Sequence, residues 1–209
     1  MPLCAHLAHL KRLGGDVWDP TGKRILELGS GTGIVGLALA CLGAAAVTLT
    51  DMEPQLDLIR SNVQRNAAAT LGCEISVRAL RWESASATAL HDAPSGAALA
   101  VEELDFVVAS DCIYGSETSE PLARLLLRLL DAHRSLRLLL AYEKRPLSKS
   151  GIDHAAHFFE LLRTSGCLLE LVDSDTEIDL ATLNANERPN SRRAGWQPDV
   201  SIWRVARMQ

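Results

Sequence analysis

The amino-acid sequence predicts an α/β fold in which a mainly parallel, doubly wound β-sheet is covered by helices on both faces. Three observations lead to this prediction: apolar runs of strand length alternate with helical patterns, a glycine-rich loop follows the first run, and an acidic residue ends the second. Such sheets bind ligands beyond the carboxyl ends of their strands. At 209 residues the chain has room for one sizeable core, so we expect a single domain over residues 1–209.

The elements follow from local patterns in chain order. Leucines at helical spacing predict a short amphipathic helix over residues 1–13, and residues 1–22 together form an N-terminal helix and link. An Ala-rich segment at residues 84–100 is interpreted as a small helix or a loop, and residues 182–198 as a long surface loop. Compact apolar runs predict strands at residues 24–28, 46–50, 73–80, 105–110 and 136–142, with a closing strand pair at 167–172 and 200–206. Helical periodicity predicts helices at residues 34–42, 55–69, 121–130 and 155–165.

The composition argues against four classes of protein. No apolar run reaches the roughly eighteen residues of a membrane span, and charged and imidazole side chains interrupt the N-terminal segment, so we expect neither a membrane span nor a signal peptide. A formal net charge of −5 argues against nucleic-acid binding and favours a basic partner. The five cysteines show no metal-ligand spacing, so we expect no metal. We expect a monomer that is soluble and cytoplasmic, with the nucleus as a further compartment.

The glycine-rich loop after the first strand has two interpretations. Gly31, Gly33 and Gly36 alone satisfy the dinucleotide motif G-x-G-x-x-G. Glu27 and the glycines at every second position from Gly29 instead indicate a loop that curls around an amino-acid moiety, because only glycine permits such close backbone approach. Loop amides and the following helix N-terminus can hold this moiety, with Glu27 close by. A purely structural tight turn is the remaining alternative.

Two side chains that follow neighbouring strands can complete a nucleoside site. Asp51 ends the second strand, where a carboxylate can accept hydrogen bonds from both ribose hydroxyls of an adenosine. The alternative role for Asp51 is to cap the helix beyond Pro54. Trp82 follows the third strand, where its ring can cover an adenine, and the alternative is a core tryptophan. We also assign to the cofactor site the residues Ser30, Met52 and Ser110.

The fourth strand leads into Asp111 and Tyr114, which place a carboxylate and a phenol at the same edge of the sheet. A cofactor with both an amino-acid part and an adenosine part leads us to consider methyl transfer. This reaction needs alignment, desolvation and an acceptor lone pair rather than covalent catalysis. A lysine amine is a demanding acceptor, because at its reference pKa only about one side chain in two to three thousand is neutral at pH 7, a cost of roughly 4.6 kcal/mol.

A low-dielectric pocket and a positive sulfonium both lower the lysine pKa, while Asp111 and Tyr114 can orient the amine and take its proton. This predicts in-line attack of a neutral amine on a sulfonium methyl. Helix capping is the alternative role for Asp111. Tyr142 and Glu143 follow the fifth strand on the same rim, where we expect them to bind substrate unless they only form a solvated strand end.

These motifs resemble the methyltransferase-like 21 group of class I protein-lysine methyltransferases, a seven-β-strand family that acts on non-histone proteins. The resemblance covers nearly the whole chain. It rests on the glycine loop at residues 26–36, Thr50-Asp51, Arg81-Trp82, the segment 109–114 with its Asp-x-x-Tyr tetrapeptide, and residues 142–145. Among these, the tetrapeptide from Asp111 to Tyr114 is the most selective.

The resemblance implies a Rossmann-like, seven-stranded sheet whose last strand is antiparallel. It also implies S-adenosyl-L-methionine as the cofactor, S-adenosyl-L-homocysteine as the product, and a protein substrate whose lysine lies near Asp111 and Tyr114. The cofactor contacts that it implies are Glu27, Gly29, Gly31, Asp51 and Trp82. Family members carry a further tryptophan that closes the cofactor site, ahead of the helix that matches residues 1–13. Trp18 follows that helix, so this role is not assigned to it.

Three other functions remain open from the residues alone. One is a methyltransferase for small molecules or another side chain, and the second is a catalytically silent cofactor-binding module. The third is an NAD-dependent oxidoreductase, which leaves Glu27 unexplained and lacks a Tyr-x-x-x-Lys constellation. Methylation of nucleic-acid bases is disfavoured, because Asp111-Cys-Ile-Tyr114 stands where those enzymes carry an Asn/Asp-Pro-Pro-aromatic tetrapeptide.

Overall fold

A computed structural model describes residues 3–4, 7–8, 18–83, 89–91, 98–143, 153–172 and 200–208 of the chain. Strands and helices alternate along most of this length. Their order is β1 (Arg24–Leu28), α1 (Ile34–Cys41), β2 (Ala46–Asp51), α2 (Leu56–Arg65), β3 (Glu74–Ala79), β4 (Ala89–His91), β5 (Ala98–Ala100), β6 (Phe106–Ser110), α3 (Ser116–Ala132), β7 (Arg137–Glu143), α4 (His154–Thr164), β8 (Cys167–Val172) and β9 (Val200–Arg207).

Seven of the strands form one sheet in the order β3-β2-β1-β6-β7-β9-β8. The pairs β2/β3, β1/β2, β1/β6 and β6/β7 are parallel, whereas β9 runs antiparallel to both β7 and β8. The predicted α/β fold with a mainly parallel sheet and an antiparallel last strand is therefore confirmed. The chain order reverses between β1 and β6, and ligands of doubly wound sheets bind beyond the carboxyl ends of strands at such a switch point.

Alternate residues of the central strands pack into two clusters on opposite faces of the sheet. On one face Leu26 and Leu138 pack with apolar residues of α3 and α4. On the other face Ile25 and Leu139 pack with apolar residues of α1 and α2. Burial on both faces explains why the central strands are continuous apolar runs in the sequence.

The N-terminal segment is described at four positions, Leu3, Cys4, Leu7 and Ala8, and all four are helical. Leu3 and Leu7 are buried and pack with Trp18 in the same cluster as α1. The predicted spacing of apolar residues is thus seen at these positions. Residues 9–17 of the predicted helix and link lie outside the described residues, as does the predicted surface loop at 182–198.

Two elements differ from the sequence prediction. The segment at 84–100, predicted as a small helix or a loop, contains the antiparallel pair of β4 and β5, so that prediction is wrong for these strands. Helix α3 begins at Ser116, whereas the helical pattern in the sequence predicted a helix that begins at Pro121. Among the described helices, none has both the length and the apolar character to cross a bilayer. The single-domain organisation over residues 1–209 stays a prediction.

Candidate active site

The loop between β1 and α1 curls through several left-handed glycines, and Gly31 has a φ of 56°. A Cβ atom at Gly31 would meet no other atom within 4 Å, so this part of the loop faces open space. At Gly33 the loop is closely packed, since a Cβ atom there would lie 3.3 Å from Cγ2 of Ile59, and the Gly33 amide donates to the Ser30 carbonyl oxygen at 2.7 Å. The loop therefore presents its backbone at Gly31 to the open space beyond the carboxyl edge of the sheet.

Glu27 lies beneath this loop and is buried. Its Oε2 atom accepts a hydrogen bond of 3.0 Å from the amide of Gly36 in α1. Burial raises the pKa of the Glu27 carboxyl to about 8, against the opposing effect of hydrogen bonds from Ser30 and Gly36. The Ser30 hydroxyl in turn accepts from the Thr50 amide at 3.1 Å. Glu27 and Ser30 thus hold the loop from below and join it to β2.

Asp51 lies at the end of β2 and contacts the glycine loop directly. Its Oδ2 atom accepts from the Gly31 amide at 2.7 Å, and its Oδ1 atom accepts from the Met52 amide at 2.7 Å. The helical turn that follows has Met52 as its N-cap, and α2 has Gln55, in both cases without a side-chain cap. The alternative in which Asp51 caps the next helix is therefore excluded.

Trp82 lies between the core and the glycine loop. The side chain is partly buried against the core cluster that contains α3 and α4. It also lies over the glycine loop, because a Cβ atom on Gly29 would lie 3.2 Å from its Cζ2 atom. The indole therefore forms a wall between the core and the space above the loop.

Asp111 and Tyr114 follow β6 on the other side of the switch point. Asp111 has a φ of 57°, the one left-handed non-glycine residue within the described ranges. Its amide donates to the Ala141 carbonyl oxygen at 2.8 Å, which fixes the turn against β7. Aspartate tolerates this conformation better than most residues, and such strain is common at functional sites. The N-cap of α3 is Gly115, so the helix-capping alternative for Asp111 is excluded.

A cavity of about 410 Å³ unites these elements at the switch point, within the size range of small-molecule sites. Predicted site residues from both sides of the switch point line it: Gly29, Gly31, Asp51, Met52, Trp82, Asp111 and Tyr114. Further lining residues were missing from the prediction: Thr32, Gln55, Leu58, Leu80, Arg81, Glu83, Cys112, Glu117 and Thr118.

Not every predicted site residue faces this cavity. Its lining does not include Glu27, Ser30, Gly33 or Ser110. It also does not include Tyr142 or Glu143. The Tyr142 ring packs edge-on against Phe159, with 6.2 Å between the ring centroids. The substrate-binding role of Tyr142 and Glu143 stays a prediction.

A comparison of the sequence with known families identifies its relationship. The sequence model of a family described as lysine methyltransferase matches residues 3–165. The chain belongs to the lysine methyltransferase family. The resemblance stated from the motifs is thereby confirmed, and the match spans the glycine loop, Asp51, Trp82 and the Asp111-to-Tyr114 tetrapeptide.

Relatives within the lysine methyltransferase family agree with this assignment. The chain is 31% identical over 158 residues to protein-lysine N-methyltransferase EFM6 of Saccharomyces cerevisiae, covering 72% of this chain and 59% of that protein. It is 36% identical over 108 residues to protein N-lysine methyltransferase METTL21A of Danio rerio, covering 52% of this chain and 44% of that protein. The chain thus spans about half the length of these two relatives.

The fold is also found in a solved structure. An S-adenosylmethionine-dependent methyltransferase from Mesorhizobium loti aligns with a TM-score of 0.58 over 97% of this chain and 98% of its own, at 17% identity. At this level of identity the likeness concerns the fold alone. This likeness agrees with the sheet architecture described above for this chain.

The missed lining residues fall into two groups. Some are sequence neighbours of predicted ones, such as Thr32 beside Gly31 and Cys112 beside Asp111, so a wider window around each motif finds them. Glu117 and Thr118 belong to the first turn of α3, which the sequence prediction placed outside the helix. A signal for them exists, because the sequence places them directly after the Asp-x-x-Tyr tetrapeptide.

Proposed function

We propose that this member of the lysine methyltransferase family transfers a methyl group from S-adenosyl-L-methionine to a lysine side chain of a protein substrate, and releases S-adenosyl-L-homocysteine. The observation that carries the proposal is the common cavity of Asp51 and Asp111. Asp51 stands with the glycine loop on one side of the switch point, and Asp111 stands with Tyr114 on the other. A donor and an acceptor can therefore meet in one place.

The residues on the donor side fit this cofactor. The open space above Gly31 and the loop amides suit the methionine part. Each oxygen of Asp51 accepts one backbone hydrogen bond and, as a carboxylate oxygen, has further capacity for a ribose hydroxyl. The Trp82 ring and the side chain of Leu80 offer apolar surface for adenine. Glu27 and Ser30 hold the loop from beneath, and the cofactor contacts predicted for Gly33 and Ser110 stay predictions.

When bound, S-adenosyl-L-methionine supplies an electrophilic methyl group on a positively charged sulfonium. The chain's own task is to prepare the lysine. Tyr114 is 54% exposed, so it can meet an entering side chain at the mouth of the cavity. Its hydroxyl and the Asp111 carboxylate can orient the amine by hydrogen bonds, and Asp111 can take up the proton directly or through water.

The walls of the cavity act on the charge of the lysine in two stages. The carboxylates of Asp51, Glu83, Asp111 and Glu117 outnumber the cationic Arg81 along the lining, which favours entry of a charged amine. Farther in, the buried Cys112 and the apolar Leu80 limit hydration and so favour the neutral amine that can attack. Desolvation beside a proton acceptor is the physical basis of the proposed catalysis.

Both relatives are named as methyltransferases of lysine in proteins, which supports a protein substrate over a small molecule. Which protein carries the target lysine is left to experiment. A cytoplasmic location, the absence of membrane and nucleic-acid partners, and a monomeric state are expectations from the sequence and form part of this proposal.

The test is transfer of radiolabelled methyl groups from S-adenosyl-L-methionine to fractionated cell lysate, with amino-acid analysis of each labelled band. Wild type is compared with Asp111→Asn and with Asp57→Asn, an exposed aspartate on α2 outside the cavity lining. Asparagine tolerates the left-handed conformation at position 111 and keeps its shape while removing the proton acceptor. We expect labelled lysine with wild type and Asp57→Asn, and loss of label with Asp111→Asn.

Two outcomes contradict the proposal. Label on a residue other than lysine, or on metabolites alone, would assign the chain to a different acceptor. No label in any fraction, although calorimetry shows that the cofactor binds, would make the chain a silent cofactor-binding module.

A further inference from the structure

One long side chain of helix α3 hydrogen-bonds to the cofactor side of the cavity. The Nη2 atom of Arg128 donates a hydrogen bond of 2.9 Å to the backbone carbonyl oxygen of Trp82, 46 residues earlier in the chain. Arg128 is outside the cavity lining, whereas Trp82 is part of it. Arg128 therefore reaches the cavity lining through the backbone of Trp82.

Trp82 depends on such a contact because it lies beyond the end of its strand. Strand β3 ends at Ala79, and the last backbone bond that joins this segment to β2 runs from the Leu80 amide to the Asp51 carbonyl oxygen at 2.9 Å. Two residues farther on, Arg128 fixes the carbonyl of Trp82. The two bonds fix the backbone on both sides of residue 81, and the indole that extends from this backbone packs against the core and approaches Gly29.

Arg128 is itself held in place by the core. Its helical neighbours Leu125, Leu126 and Leu129 are fully buried, which fixes the backbone from which the side chain extends. Its Nε atom is buried without a hydrogen-bond partner in the part of the chain that the structure describes. A buried donor without a partner disfavours the folded state, and an apolar side chain would avoid this cost. The contact with Trp82 gives arginine a reason to occupy the position.

We propose that Arg128 is a positioning residue of the cofactor site, which holds Trp82 where its ring bounds the adenine part of the ligand. The inference rests on the proposed function, since it takes S-adenosyl-L-methionine as the ligand. It adds to that function a residue outside the cavity on which cofactor affinity depends.

The experiment measures binding of S-adenosyl-L-homocysteine to the full chain by titration calorimetry, with thermal unfolding of each variant recorded alongside. Arg128→Met removes the donor and keeps much of the side-chain length, and Arg128→Lys retains one donor. Arg124→Met is the matched control, because Arg124 lies one turn away on α3 and pairs with Glu120 instead. We expect a rise in Kd of about tenfold for Arg128→Met, the effect of one lost hydrogen bond, a smaller rise for Arg128→Lys, and none for Arg124→Met.

A double-mutant cycle separates positioning from a general loss of structure. In a Trp82→Ala background the ring is already absent, so adding Arg128→Met should change Kd by less than about twofold. Wild-type affinity in Arg128→Met, no recovery in Arg128→Lys, or fully additive losses in the cycle would each overturn the inference while leaving the proposed function intact. Failure of the wild-type chain to bind the ligand would overturn the proposed function and this inference with it.

Discussion

The amide of Gly31 donates a hydrogen bond of 2.7 Å to the Oδ2 atom of Asp51. This bond joins the glycine loop after β1 to the end of β2, the two places that the proposal gives to the methionine and ribose parts of the cofactor. A carboxylate acceptor makes it a charge-assisted bond, which is stronger than one between neutral groups. The loop is thus held in its binding shape by the same side chain that is proposed to hold the ligand.

Replacement of Asp51 by asparagine should weaken cofactor binding in two ways, through the shape of the glycine loop and through the contact with the ligand. One of the two backbone amides would then face an NH₂ group in place of an oxygen, and the charge that accepts the ribose hydroxyls would be lost. We expect Kd for S-adenosyl-L-methionine to rise roughly tenfold to a hundredfold, as for a lost hydrogen bond to a charged group, measured by calorimetry. Asp57→Asn is the control, and equal affinities in the two variants would contradict the assignment.

Replacement of Gly31 by arginine should abolish measurable cofactor binding, because the side chain would extend into the open space above the loop. Gly22 is a matched control: it also has a positive φ, 72° against 56°, and a Cβ atom there would meet nothing within 4 Å. Gly22 lies just before β1, at the far edge of the sheet. Calorimetry should therefore show normal binding in Gly22→Arg, and similar affinities in both variants would place the cofactor elsewhere.

Gly36 should respond to substitution through stability. A Cβ atom at this position of α1 would collide with the Leu49 side chain and lie 2.7 Å from Oε2 of Glu27. We expect Gly36→Ala to lower the free energy of unfolding by about 1–3 kcal/mol, the usual range for overpacking, as measured by urea denaturation. Gly115→Ala, where a Cβ atom has open space, should change it little. An unchanged midpoint in Gly36→Ala would show that α1 can move away from the sheet without cost.

Glu27 should make the stability of the protein depend on pH. Its folded pKa is about 8 against a reference of 4.5, so between these values the folded state holds a proton that the unfolded chain releases. The contribution of Glu27 to the free energy of unfolding is fully present below about pH 4.5. It is lost as pH rises toward 8, with a slope of up to roughly 1.4 kcal/mol per pH unit.

Removal of the Glu27 carboxyl should make the free energy of unfolding less dependent on pH. We expect urea unfolding at a series of pH values from 5 to 9 to show a steeper fall for wild type than for Glu27→Gln, whose amide stays neutral throughout. The difference between the two proteins should level off above about pH 8, where Glu27 is ionised in both states. Parallel curves over the whole range would show that the buried carboxyl keeps an ordinary pKa.

The large sheet could be predicted from the sequence because its central strands are buried on both faces and appear as compact apolar runs. The pair of β4 and β5 could not, since each strand has three residues and alanine has a weak preference for strands. The start of α3 differs from the prediction for another reason. Pro121 is a strong local signal for a first turn, but the helix already begins at Ser116.

Within the cavity, the residues that could be predicted are those that directly follow a strand. Asp51 and Asp111 are examples, because parallel strands bring their carboxyl ends to one edge. Gln55 and Leu58 reach the cavity from a helix, and their position depends on how α2 packs on the sheet. Arg128 lies farther still from any motif, and its contact with Trp82 depends on the tertiary placement of α3. Such contacts carry no local signature in a single sequence.

The reversal of strand order between β1 and β6 also bears on how this protein can evolve. The proposed direct contacts to the donor in the cavity lining are encoded before residue 84, whereas Ser110, Arg128 and the residues proposed to meet the acceptor lie at the end of β6 or after it. Substitutions or exchanged segments in the second half can therefore redirect the chain to a new protein partner while the first half conserves its chemistry. A chimera that joins residues 1–104 of this chain to the second half of a relative with arginine at the position of Arg128 would take its donor contacts from one parent and its choice of target from the other.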